Sequence, residues 1–128
     1  MSRLIDISQY HNQGSVEGYV VDTKREQLGN FFTSNGISKE VANKYLHKFR
    51  NIAILKNMQV SQKGKGIGRK LFDQFIDQAY DEGAEAIFLV ADVSEKNDFD
   101  LIQWYERYGF EKIAKTSNSD YLMLLHEE

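Results

Sequence analysis

Residues 51–72 read N-I-A-I-L-K-N-M-Q-V-S-Q-K-G-K-G-I-G-R-K-L-F. The first ten make a strand candidate, apolar at Ile52, Ile54, Met58 and Val60. The strand runs straight into glycines at 64, 66 and 68, and an amphipathic helix follows. In that helix Ile67, Leu71, Phe72, Phe75, Ile76, Ala79 and Tyr80 form one apolar stripe, opposite Asp73, Gln74, Asp77 and Gln78. The helix is expected to end near Gly83. A run of glycines loses more conformational entropy on folding than other residues do, so it marks a sharp turn or a close approach to the backbone. Lys63, Lys65, Arg69 and Lys70 surround this turn, and a helix start adds unpaired N–H groups and about half a positive charge. An anion suits that arrangement, phosphate above others. A solvated basic turn is the plainer alternative.

Outward from this stretch, A-I-F-L-V-A-D at 86–92 is a nearly continuous apolar run, as in a strand covered on both faces. Strand, loop, helix and strand make a βαβ unit. Upstream, residues 3–10 and 16–22 read as two strands of a hairpin about H-N-Q-G. From Thr23 the periodicity turns helical through Leu28, Phe31 and Phe32, and N-G at 35–36 stops it. Ser38 then offers an N-cap to a second helix carrying Val41, Ala42, Tyr45, Leu46 and Phe49. Downstream, 98–108 predicts a helix closed by Gly109, and 110–115 and 121–126 predict strands that pair across T-S-N-S-D. The fold class is α/β with a mixed sheet.

With 128 residues, 41% hydrophobic and 27% charged, the chain suits one compact domain over 1–128. A net charge of −3 argues against a nonspecific nucleic-acid binder, and the positive charge near residue 65 is local. The absence of cysteine removes disulfides, a thiol nucleophile and cysteine-based zinc sites from consideration. His11, His47 and His126 share no motif, so no metal is expected. No secretory leader or membrane-length apolar run is read, and a cytoplasmic setting is the expectation.

The loop fails two phosphate-binding patterns. A P-loop requires G-x-x-x-x-G-K-[ST], but Arg69 stands five residues after Gly64 and Leu71 five after Gly66. The dinucleotide fingerprint G-x-G-x-x-G requires glycine at 69 or 71. What fits is a basic or glutamine residue, two arbitrary residues and G-x-G, as in Lys63-Gly-Lys-Gly66-Ile-Gly68 between a strand and a helix. This resembles motif A of the GNAT acetyltransferases. A second landmark, Y105-E-R-Y-G-F110, is similar to the family's tyrosine-bearing helix end. The pattern covers about residues 51–126, and the short link from Val60 to Lys63 resembles compact members.

The resemblance implies a mostly antiparallel central sheet flanked by helices, acetyl-CoA as co-substrate, and transfer of the acetyl group to a primary amine in a ternary complex. It implies diphosphate binding by Lys63, Gly64, Lys65, Gly66, Gly68 and Arg69, and backbone pairing of pantetheine with Met58 and Val60. It further implies a pantetheine contact at Asn97 and protonation of the leaving thiolate by Tyr105. The segment 23–50, with Phe31, Phe32 and Tyr45, takes the family position of the acceptor wall. The strand at 51–60 carries no carboxylate, so the general base is open among Asp92, Glu17 and water. The acceptor and the oligomeric state are open as well, although self-association is common in the family. The runner-up reading is a GNAT-like fold that binds acyl-CoA or a protein without catalysis; a nucleic-acid module built on the basic loop ranks below it.

Overall fold

The computed structural model describes residues 4–11, 14–23, 31–60, 66–91, 101–117 and 120–126. Its strands are β1 (Leu4–His11), β2 (Gly14–Asp22), β3 (Asn51–Val60), β4 (Ala86–Ala91), β5 (Glu111–Lys115) and β6 (Tyr121–His126). They form one sheet in the order β1-β2-β3-β4-β6-β5. Four neighbouring pairs are antiparallel, and β3 with β4 is the parallel one. The helices are α1 (Lys39–Lys48), α2 (Ile67–Asp81) and α3 (Leu101–Glu106), and residues 31–34 are also helical. No helix among the described residues is long and apolar enough to cross a membrane.

The sheet is buried on both faces, which explains the unbroken apolar run of β4. On one face Leu71, Phe72, Phe75 and Ala79 of α2 pack on Val16, Val20, Ala53, Leu55, Ile87 and Leu89. Tyr105 and Phe110 join this core from α3 and its C-terminal turn. On the other face Phe32, Ile37, Ala42 and Phe49 pack on Val21, Ile52, Ile54, Phe88, Leu122 and Leu124. Phe88 is the hub there, meeting Phe32 and Tyr45 edge-on at centroid distances of 5.6 and 5.8 Å. Phe32 has no solvent exposure, so it is core rather than an open wall for an acceptor.

Local chemistry sets the helix ends. Ser38 caps α1, its hydroxyl accepting from the Val41 N–H. Beyond α3, the Phe110 N–H donates to the Tyr105 carbonyl at 3.3 Å and the Gly109 N–H to the Glu106 carbonyl at 3.0 Å. With Gly109 at φ 104° this is a Schellman termination, which needs a left-handed residue at that step. Its customary apolar contact is the pair Tyr105 and Phe110, 5.9 Å apart. Much of Y-E-R-Y-G-F is therefore a helix stop. The same paired bonds end the 31–34 helix and α2, at Gly36 and Gly83.

Candidate functional site

The strand before the glycine turn does not alternate as its sequence suggests. Ile52 and Ile54 face the α1 side, and Ala53 and Leu55 face α2. Strict alternation would place Met58 with Ile54, yet Met58 packs on the α2 side. The cause is a register step against β2: Gly18 pairs with Leu55 and Glu17 with Asn57, which leaves Lys56 without a partner there. An extra residue in one strand bends it and increases its twist.

The bend lies where β3 leaves β4. Their pairing consists of Ile52 with Ala86, Ala53 with Ile87 and Ile54 with Phe88, and goes no further. Beyond it β3 stays paired to β2 as far as Val60, while Leu89, Val90 and Ala91 of β4 pair with Met123, Leu122 and Tyr121 of β6. A wedge-shaped slot opens between the two strands. It is narrow at Ile54 and Phe88, and its wide end on the β3 side is Val60, just before the glycine turn.

Past the turn, α2 begins at a bare N-terminus. Gly66 is its N-cap, left-handed at φ 76°, with no side-chain cap and no acidic residue in the first turn. The Lys70 N–H bonds the Gly66 carbonyl at 3.0 Å, so the N–H groups of Ile67, Gly68 and Arg69 precede the helix's own ladder. Arg69 and Lys70 are exposed. These donors, the dipole and two cations can hold an anion at the mouth of the slot. Lys63, Gly64, Lys65 and Asn97 lie outside the described residues, as does Asp92.

Tyr105 sits on the α2 side of the sheet, 4% exposed. Its ring lies 5.5 Å from Phe72 and 5.3 Å from Trp104. Burial pushes its phenol up to about 12. Tyr108, one turn on, packs edge-on to Phe72 at 4.7 Å. Its phenol is also pushed up to about 12, by burial first and then by the Asp73 carboxylate, with Arg69 opposing. Both stay protonated through neutral pH, and both are weaker acids than a free phenol. Glu17, level with Asn57, is half-buried. Among the described residues no group of His, Asp and Glu could hold a metal ion.

Comparison with known proteins fits this geometry. Residues 58–110 match the sequence model of the acetyltransferase (GNAT) family, from the splayed end of β3 to the residue that closes the α3 turn. Over that stretch the chain is similar to the family. No curated protein sequence matches it. Among solved structures, the anti-CRISPR protein AcrVA5 superposes with a TM-score of 0.57 at 18% identity, over 94% of this chain and 98% of that one. The ribosomal-protein-S18-alanine N-acetyltransferase from Escherichia coli gives 0.57 at 17% identity, over 97% of this chain and 69% of that one. NAA60 of Arabidopsis thaliana, in complex with acetyl-CoA, gives 0.60 at 12% identity, over 95% and 76%. At such identities these likenesses establish the GNAT fold.

Proposed function

We propose that this chain is a single-domain N-acetyltransferase that moves the acetyl group of acetyl-CoA to a primary amine by direct attack within a ternary complex. The observation that carries the reading is the slot between β3 and β4, whose β3 side ends at Val60, six residues before the uncapped start of α2. One anion site and one strand-shaped gap in line suit a ligand with a diphosphate and a long amide-bearing arm. In this reading the backbone N–H groups from Gly66 through Gly68 to Arg69 hold the diphosphate, with charge from Arg69 and, by motif position, Lys63 and Lys65 around Gly64. Met58 and Val60 offer backbone groups to pantetheine, and Asn97 offers a further hydrogen bond. A backbone N–H of the splayed strand polarises the thioester carbonyl, an effect worth a few kcal/mol where the donor is preorganised.

The amine nitrogen attacks the carbonyl carbon, the carbon–sulfur bond breaks, and the sulfur leaves as a thiolate. Tyr105 supplies the proton. A phenol raised to about 12 is fully protonated when the thiolate forms. The acceptor's own proton goes to Glu17, Asp92 or water. The similar solved structures include a ribosomal-protein-S18-alanine N-acetyltransferase and the anti-CRISPR protein whose length this chain matches, so protein amines belong in an acceptor screen beside small ones.

A second reading, a GNAT-fold module that binds acyl-CoA without turnover, draws on β3, which carries no carboxylate from Asn51 to Val60. Titration calorimetry with acetyl-CoA, CoA and ATP, repeated for Gly66→Glu, tests the binding half. A side chain at Gly66 meets nothing within 4 Å, so the substitution brings a left-handed strain of about 1–2 kcal/mol and leaves a folded protein. Selective binding of the CoA ligands, abolished by Gly66→Glu, is expected. Failure of the folded wild type to bind acetyl-CoA would overturn both readings. Binding without CoA release across a panel of amines and peptides would select the second.

A further inference from the structure

We propose that Lys56 is itself an acetyl acceptor, so that the protein acetylates its own β3; this rests on the acetyl-CoA reading above. Three observations single out this residue. The four residues before it, Ile52 to Leu55, are buried, and Lys56 is exposed. It is the residue that the register step leaves without a partner on β2. It also stands two positions past Ile54, the last β3 residue paired with β4, and so lies on the open edge at the narrow end of the slot.

The dimensions put a thioester there. From Val60 to Lys56 is four steps of strand, roughly 13 Å at ~3.3 Å per residue. The arm from the diphosphate to the sulfur is a chain of roughly a dozen bonds, about as long as four extended residues. An arm whose diphosphate end lies level with Val60, and which runs along β3, thus ends beside Lys56. The neutral amine of Lys56 then attacks the carbonyl carbon, the nitrogen–carbon bond forms, the carbon–sulfur bond breaks, and the proton lost by nitrogen ends on the CoA sulfur. The products are one acetamide and one free thiol, with no other reactant needed. A nucleophile held next to its electrophile gains a large effective concentration. Exposed lysines on α1, such as Lys39, Lys44 and Lys48, have no such neighbour and react only from solution.

These lysines are the internal standard for the test. The full chain is incubated with acetyl-CoA, and each lysine's modification is followed by peptide mass mapping, with calorimetric binding of acetyl-CoA measured on the same samples. The expected result is that Lys56 is modified at least about tenfold faster than Lys39, Lys44 and Lys48. Its rate should saturate with acetyl-CoA, and Gly66→Glu should bring it down to the rate of the others. Lys56→Arg should bind acetyl-CoA as the wild type does and lose the fast incorporation. Binding of acetyl-CoA with Lys56 no faster than the α1 lysines would overturn the self-acetylation while leaving the transferase reading intact. Absence of acetyl-CoA binding would overturn both.

Discussion

Replacing Gly18 with alanine probes the packing that fixes the narrow end of the slot. Gly18 lies on β2 beneath Phe75 of α2 and beside Ile54 of β3. A β-carbon there would stand 2.2 Å from the Ile54 carbonyl oxygen and 2.6 and 2.7 Å from two ring atoms of Phe75. The ring can turn aside, at an overpacking cost of about 1–3 kcal/mol. The carbonyl cannot yield so easily, because it belongs to the last β3 residue paired with β4, and moving it weakens ladder hydrogen bonds at about 1 kcal/mol each. The expected loss is roughly 3–4 kcal/mol, a large share of the ~5–15 kcal/mol that holds an ordinary domain folded. At about 3–4 °C per kcal/mol for a chain of this size, Tm should drop by roughly 10–15 °C. Urea unfolding followed by the fluorescence of Trp104 gives the free energy directly. In a Phe75→Leu background the ring contact is gone, and Gly18→Ala should then cost about 1–2 kcal/mol less. A loss under about 1 kcal/mol, or a cost independent of residue 75, would refute this account of the junction.

Two further predictions concern Tyr105. Tyr105→Phe keeps the ring among Phe72, Trp104 and Phe110 and removes only the hydroxyl, so acetyl-CoA affinity should hold while kcat falls about 10²-fold; an unchanged kcat would take the proton-donor role away. Stability should also respond to alkali. The phenol is raised to about 12 in the folded chain from an ordinary 10, so between those values the unfolded chain binds fewer protons than the folded one. The contribution of Tyr105, about 3 kcal/mol in order of magnitude, is fully present below pH 10 and lost as pH rises through 12. Urea midpoints taken from pH 9 to pH 12 should fall for the wild type and fall less for Tyr105→Phe.

Most elements were legible because their signals are local. Ser38 and the glycines at 36, 83 and 109 announce helix ends whatever the tertiary context, and the apolar run of β4 reflects a strand between two helical layers. The strands 51–60 and 121–126 match β3 and β6 end for end. The helix expected over 98–108 is narrower, Leu101–Glu106, because the Schellman bonds take over its last turn; residues 98–100 lie outside the described set. The step at Lys56 was hidden. Nothing in I-L-K-N-M distinguishes an inserted residue from two polar positions on a continuous strand, so the sequence shows Ile54 and Met58 only as apolar positions of one strand. The step becomes visible only through pairing with β2, which is nonlocal. The site is split in the same way. The glycine turn and Y-E-R-Y-G-F are contiguous and readable, whereas the slot exists only because β3 and β4 part. Of the aromatic residues at 31, 32 and 45, Phe32 is fully buried against Phe88, whereas Phe31 and Tyr45 are half-buried.

The sheet is two antiparallel halves, β1-β2-β3 and β4-β6-β5, joined by three residue pairs. The hairpin of β1 with β2 and the pair β5 with β6 close short segments of chain. The junction of β3 with β4 closes only after all of α2 has crossed over, and long closures carry the greater entropy cost and slow assembly. The two halves thus meet only at Ile52–Ile54 against Ala86–Phe88, directly at the apex of the slot, and a ligand lying in the gap ties together the part of the sheet that has the fewest pairs to hold it.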